Sequence, residues 1–236
     1  MIIYGRNAVH EALRAGRRRV HEVWATHGAA REPWLLEAGV PVHPAEPAEV
    51  ARRAASDAHQ GLAARVDGYH YAGAAELLRA PDPLIVALDE VQDPQNLGAI
   101  ARTAESAGAT GLVITDRRSA EVTPAACKAS AGAVEWLPIA RVRNLAEFLG
   151  EAKEAGCWCW GAAATDAAVH YLEPDWTGGV VLVLGAEGKG LRPRVAASCD
   201  GLVKLPLRGH LESLNVSAAA AALLYGILQR RFDSAS

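Results

Sequence analysis

The chain has 236 residues, half of them hydrophobic and 22% charged, with a formal net charge of −3. That balance describes a globular protein long enough for one large domain or two modest ones, and it excludes a disordered polyelectrolyte. No stretch approaches the roughly 18–20 apolar residues of a membrane span. In "MIIYGRNAVHEALRAGRRR" the charges follow the apolar residues, the reverse of a secretory leader, so a cytoplasmic location is expected.

In chain order, the first part reads as a small α/β unit. Helices are predicted over 8–15, 31–38 and 47–56, and strands over 20–25, 40–43 and 62–71. Residues 1–21 carry Arg6, Arg14, Arg17, Arg18 and Arg19 against a single acid, Glu11. Such a cluster can hold phosphates, and it can equally be a solvated helix end followed by a turn. Residues 72–83, "AGAAELLRAPDP", carry two prolines and read as a linker.

From residue 84 the alternation is cleaner. Strands are predicted at "LIVALDE", "GLVIT", "EWLPIA", "CWCWGAA", "VVLVLG" and "GLVKLP". Helices are predicted at "PQNLGAIARTAESAGA", "TPAACKASAGA", "NLAEFLGEAKEAG", "RPRVAASC" and the Ala-rich terminal run. Alternation of this kind gives a mostly parallel sheet covered on both faces, with ligands gathering beyond the carboxyl ends of the strands.

The four cysteines, Cys127, Cys157, Cys159 and Cys199, form no C-x-x-C pair, and the eight histidines form no helical ligand pair. Structural burial explains the cysteines, and no metal site is expected.

Three loops at the expected rim are unusual. In "LGAEGKG" the glycines Gly185, Gly188 and Gly190 let backbone approach a ligand, but the spacing is neither G-x-G-x-x-G nor G-x-x-x-x-G-K-[ST]. A tight turn carrying a surface Glu187 is the bland alternative. In "DEVQDPQNLG" Pro94 opens a helix with Asn96 in its first turn. Arg102 lies about 140° from Leu97 on that helix, away from the apolar stripe. It is either a solvated surface arginine or an anion contact. In "PLRGHLESLNVS" Ser213, Asn215 and Ser217 are all capping candidates. One cap suffices, so the excess, with Arg208 and Glu212, favours a ligand contact.

Together these loops resemble the SpoU-type RNA 2′-O-ribose methyltransferases of the SPOUT superfamily. "DPQNLGAIARTAESAGATGLVI" is similar to the family's first motif, "LVLGAEGKGL" to its second and "VKLPLRGHLESLNVSAAAAALLYGILQRR" to its third. "KASAGAVEWLPIARVRNL" fits the segment between them. "IYGRNAVHEAL" and "HQGLAARV" resemble the substrate-binding unit, of ribosomal-protein L30e type, of the 23S rRNA guanosine-2′-O-methyltransferases.

The resemblance implies an α/β fold with a deep trefoil knot and a small N-terminal domain. The division would be 1–71 for RNA binding, 72–83 as linker and 84–236 as the methyltransferase. It implies S-adenosyl-L-methionine as cofactor, contacted by Gly185, Leu205 and Leu214, and a homodimer whose partner completes each site. It places Arg102, Asn96, Glu187, Ser213 and Asn215 in the catalytic centre. Arg6, Arg14, Arg17, Arg18, Arg19 and Arg31 become candidates for the ribosomal RNA. A guanosine of the peptidyl-transferase centre is the expected target, with tRNA or an antibiotic-resistance site as alternatives. A non-catalytic RNA-binding module and a nucleotide-triphosphate enzyme are the competing classes. The intact motif residues argue against the first and the failed loop spacing against the second.

Overall fold

A computed structural model describes residues 1–211 and 213–235. The N-terminal part runs β1 (Ile2–Tyr4), α1 (Arg6–Ala15), β2 (Val20–Ala25), α2 (Pro33–Leu36), β3 (Val42–Pro44), α3 (Pro47–Ala54) and β4 (Leu62–Val66). Its four strands form one sheet in the order β1-β4-β2-β3.

The remainder runs α4 (Ala74–Leu77), β5 (Leu84–Asp89), α5 (Pro94–Ser106), β6 (Gly111–Thr115), α6 (Pro124–Ala129), β7 (Ile139–Val142), α7 (Leu145–Glu154), β8 (Trp158–Ala162), β9 (Val169–His170), β10 (Val180–Gly185), α8 (Pro193–Ser198), β11 (Gly201–Lys204) and α9 (Val216–Ala235). Seven of these strands form a second sheet, ordered β7-β6-β5-β10-β8-β11-β9. Every pairing in it is parallel.

Strand alternation explains why both faces are covered. On β5, Leu84, Val86 and Leu88 share a buried cluster with Leu97 and Ile100 of α5 and Leu223 and Leu224 of α9. Ile85 and Ala87 face the other way, onto Phe148 and Leu149 of α7. Burying each large side chain contributes about 1.5–3 kcal/mol, so packing rather than helix propensity holds these layers. Gly98 sets the α5–α6 spacing: a Cβ there would lie 2.5 Å from Ala129 Cβ and 2.7 Å from the Ala126 carbonyl oxygen. Asp93 caps α5, accepting from the Gln95 N–H at 2.9 Å, and Pro94 fills its first position.

Several expected boundaries move. The helix over 31–38 is a 3-10 turn at Ala29–Arg31 followed by the short α2. The strand expected over 62–71 stops at Val66, because the next residues leave the sheet to contact the second one. There Tyr69 Oη donates to the Val134 carbonyl at 3.1 Å and Tyr71 Oη accepts from the Val122 N–H at 3.0 Å. "EWLPIA" is not a single strand: Ala133–Glu135 is a 3-10 turn, and β7 begins after Pro138, which has no N–H to give a ladder. The segment 72–83 is partly structured. Ala72 bridges to Ala140, its N–H donating to the Ile139 carbonyl at 2.8 Å, and α4 follows. The short strands β1 and β9 were not expected from the sequence.

The two sheets are joined by a buried ion pair. Arg18 and Glu135 are 6% and 2% exposed. Arg18 Nε donates to Glu135 Oε2 at 3.0 Å, and its Nη2 donates to Glu135 Oε1 and to Cys127 Sγ. Arg18 Nη1 donates to the Asp67 carbonyl at 3.3 Å. At the edge of this contact Trp136 Nε1 donates to Glu11 Oε2 at 2.8 Å. No helix of the described residues is long and apolar enough to cross a membrane.

Candidate active site

The carboxyl ends of β8, β10 and β11 open into a cavity of about 810 Å³. Three chain segments wall it: 162–165 after β8, 184–191 after β10, and 202–207 with 213–216 before α9. The volume is that of a small-molecule or cofactor pocket. Gly185, Leu205, Leu214, Glu187, Ser213 and Asn215 all line it. The lining mixes backbone with apolar Leu184, Leu202, Val203 and Val216.

Gly185 is fixed by close approach. A Cβ there would meet the Gly190 carbonyl carbon at 2.2 Å, its oxygen at 2.3 Å and the Leu191 nitrogen at 2.5 Å. All three are backbone atoms, so the 185–191 turn closes only over a glycine. The turn is anchored from the far side by Asp89, the last residue of β5, which is 1% exposed. Asp89 accepts from the Arg192 N–H at 2.8 Å and from Arg192 Nε at 2.7 Å. Arg192 Nη1 also lies 3.1 Å from Glu90 Oε1. Nothing local in the chain marks this anchor, because Asp89 and Arg192 are adjacent only in the folded chain.

Glu187 is the meeting point of three motifs. Asn96, in the first turn of α5, donates through Nδ2 to Glu187 Oε1 at 3.2 Å. Asn215 Nδ2 donates to that same oxygen and to Asn96 Oδ1, the latter at 3.0 Å. Asn215 Oδ1 meanwhile accepts from the backbone N–H groups of Ser217 at 2.8 Å and Ala218 at 3.3 Å. Of the three capping candidates, Asn215 is therefore the one that starts α9. Ser213 is exposed at the cavity wall, its hydroxyl directed to no protein partner among the described residues. Glu212 falls outside the described residues.

Arg102 is not drawn into this group. It is exposed on α5, outside the cavity lining, and its side chain makes no hydrogen bond or ion pair among the described residues. Of the basic residues expected to meet RNA, Arg17 and Arg19 are exposed and their side chains make no hydrogen bond or ion pair among the described residues, though the Arg19 charge acts on Asp67. Arg6 is exposed and paired with Glu32 at 2.8 Å, Arg14 with Glu11 at 3.0 Å, and Arg31 with His27 at 2.8 Å. Arg18 is a correction. Burial pulls its guanidinium down, but the hydrogen bond and charge of Glu135 outweigh that, and the net shift is upward. Its donors are spent on Glu135, Cys127, Met1 and Asp67, so none is left for a phosphate.

The four cysteines are free thiols. Burial pushes Cys127 up to about 11 and Cys159 and Cys199 up to about 12, which keeps them protonated and unreactive at neutral pH. No group of three or more His, Cys, Asp or Glu among the described residues could hold a metal ion.

Known proteins align with both parts of the chain. The family model for the SpoU rRNA methylase family matches residues 83–225. The model for the RNA 2′-O ribose methyltransferase substrate-binding family matches residues 2–72. The 23S rRNA (guanosine-2′-O-)-methyltransferase RlmB of Pseudomonas putida is 39% identical over 241 residues, 97% of this chain and 96% of that one. A Bacillus subtilis protein provisionally named a TrmH-family tRNA/rRNA methyltransferase is 38% identical over 240 residues, 97% and 95% of the two chains. The crystal structure of an AdoMet-bound rRNA methyltransferase from Sinorhizobium meliloti superposes with a TM-score of 0.81 at 25% identity, covering 97% of this chain and 86% of that one. With its parallel sheet, its rim cavity and its three-motif network, this chain belongs to the SpoU rRNA methylase family and is an RNA 2′-O-ribose methyltransferase.

Proposed function

We propose that the protein methylates the 2′-hydroxyl of a guanosine in 23S ribosomal RNA, with S-adenosyl-L-methionine as donor. The observation that carries the reading is the convergence of Asn96, Glu187 and Asn215 at the mouth of the 810 Å³ cavity. The cavity suits the donor: backbone and apolar side chains surround it, and a carboxylate stands at the rim to complement a sulfonium cation. Bound there, S-adenosylmethionine supplies an electrophilic methyl group.

The chain's own residues hold the reactants. Gly185, Leu205 and Leu214 provide cofactor contacts along the turn and the segment before α9. The two asparagines fix the Glu187 carboxylate, and the free hydroxyl of Ser213 is available to the ribose. In the reaction the 2′-oxygen forms the new C–O bond, the C–S bond breaks, and the hydroxyl proton leaves to solvent. Positioning supplies much of the rate in such a displacement.

An arginine side chain offers a fork of donors and no acceptor, so Arg102 grips a phosphate beside the target ribose rather than removing a proton. Since it stands outside the cavity of its own chain, a second copy brings it to the site. Exposed Leu207, Leu211, Leu214 and Tyr225 offer that homodimer an apolar surface. Residues 1–71 bind the RNA, with Arg17 and Arg19 as the free cations and Arg6 and Arg14 beside them. The trefoil crossing of the chain implied by the family resemblance belongs to this same reading.

Mapping 2′-O-methyl sites in total RNA from cells with and without the protein tests the target. Loss of one 23S guanosine methylation is expected. Loss confined to a tRNA would overturn the substrate, and no loss anywhere would overturn the activity.

A further inference from the structure

A second basic site stands beside the cofactor cavity on the same rim of the sheet. Strands β6 and β7 run parallel to β5 and β10, and Thr115 pairs in register with Val142, so their carboxyl ends finish level. Arg143 directly follows β7, and Arg117 stands two residues past the end of β6. With Asp116 they line one cavity of about 500 Å³. Asp116 is already engaged: Arg141 Nε lies 3.2 Å from its Oδ1, and Arg141 Nη2 donates to its backbone carbonyl at 3.3 Å. Arg141 also reaches Glu121 at 3.4 Å and lies over the Tyr71 ring at 5.1 Å, which holds it in place. Arg118, in the same turn, is drawn toward Glu90 at 3.8 Å.

Arg117 and Arg143 have no such partner. Both are exposed, and neither side chain makes a hydrogen bond or ion pair among the described residues. The Asp116 carboxylate that shares this cavity is already held by Arg141, so both arginines are left to an anion that enters it. The fork of donors on each suits the oxygens of a phosphodiester.

Resting on the reading of the protein as an RNA methyltransferase, we propose that Arg117 and Arg143 form a clamp for a backbone phosphate of the RNA flanking the target ribose. The parallel sheet places this clamp on the rim that carries the cofactor cavity. The clamp fixes where the strand lies without reading its bases.

The test uses the full-length protein and its R117Q/R143Q and R117K/R143K variants. Binding of a labelled 23S rRNA transcript is titrated over a potassium chloride series, S-adenosylmethionine affinity is measured by calorimetry, and methyl transfer is resolved into KM and kcat. The glutamine pair should lower the slope of log affinity against log salt by about 0.7–0.9, the loss of one neutralised phosphate. It should raise KM for the transcript and leave kcat and cofactor affinity unchanged. The lysine pair should restore the slope. An unchanged slope in the glutamine pair overturns the clamp, and so does a slope that falls together with cofactor affinity, since that reports damage to the fold. If the unsubstituted protein neither binds nor methylates RNA, the proposed function falls and the clamp with it. If it does both and the glutamine pair matches it, the clamp alone is overturned.

Discussion

Asn215 and Glu187 meet across the mouth of the cavity through a hydrogen bond from the amide nitrogen of the first to the carboxylate of the second. The oxygen of the same amide caps α9. Two substitutions separate these roles. Asn215→Ala loses both and should cost about 1 kcal/mol of stability along with activity. Asn215→Asp keeps the capping acceptor but gives up the donors and sets a second carboxylate beside Glu187. Its thermal melt should stay near that of the parent while kcat falls about a hundredfold. Full activity in Asn215→Asp would show that the carboxylate needs no holding.

The Arg18–Glu135 pair is more than nine-tenths buried on both sides. Removing one partner strands a charge. Arg18→Met or Glu135→Leu should each cost about 3–5 kcal/mol in denaturant unfolding, and the double variant should recover most of that loss. Additive losses in the double variant would mean that the two side chains do not depend on each other.

Gly185→Ala adds a methyl group onto backbone that cannot move aside. The 185–191 turn must reopen, and calorimetric binding of S-adenosylmethionine should be lost. The N-terminal sheet, which does not touch this turn, should leave RNA binding in place. Retained cofactor affinity would show that the turn is not a wall of the cofactor site.

Arg102→Ala should abolish methyl transfer while leaving cofactor affinity near normal. The side chain is exposed and unpartnered, so stability should change by less than about 0.5 kcal/mol. Arg102→Lys keeps the charge without the fork and should recover only part of the rate. Methyl transfer by the alanine variant at the parental rate would remove Arg102 from the site.

The parallel sheet and the three unusual loops at its rim were legible because each is written in a short local pattern, an apolar run, a glycine turn or a helix cap; the roles of their residues came from the family resemblance. Asn96, Glu187 and Asn215 could be named from the chain, but their shared carboxylate oxygen could not, since it depends on distances between loops 28 to 119 residues apart. Arg18 misled for the same reason. Among three consecutive arginines nothing local marks the buried one, and its partner lies 117 residues on. Glu135 was hidden as well, because "EWLPIA" has the composition of a strand and only Pro138 betrays where β7 can start. Asp89 looked like the polar end of a strand until Arg192 was seen against it.

The buried pin at Arg18 also makes the molecule a calliper. Under the proposed function one jaw is the N-terminal sheet, the other is the methyl-transfer pocket, and the Arg18–Glu135 pair ties the two together. On that reading RNA would be selected by span: a ribose qualifies only when a graspable feature lies at the matching reach. Exchanging the front unit for a relative's would then shift the modified nucleotide while leaving the chemistry untouched.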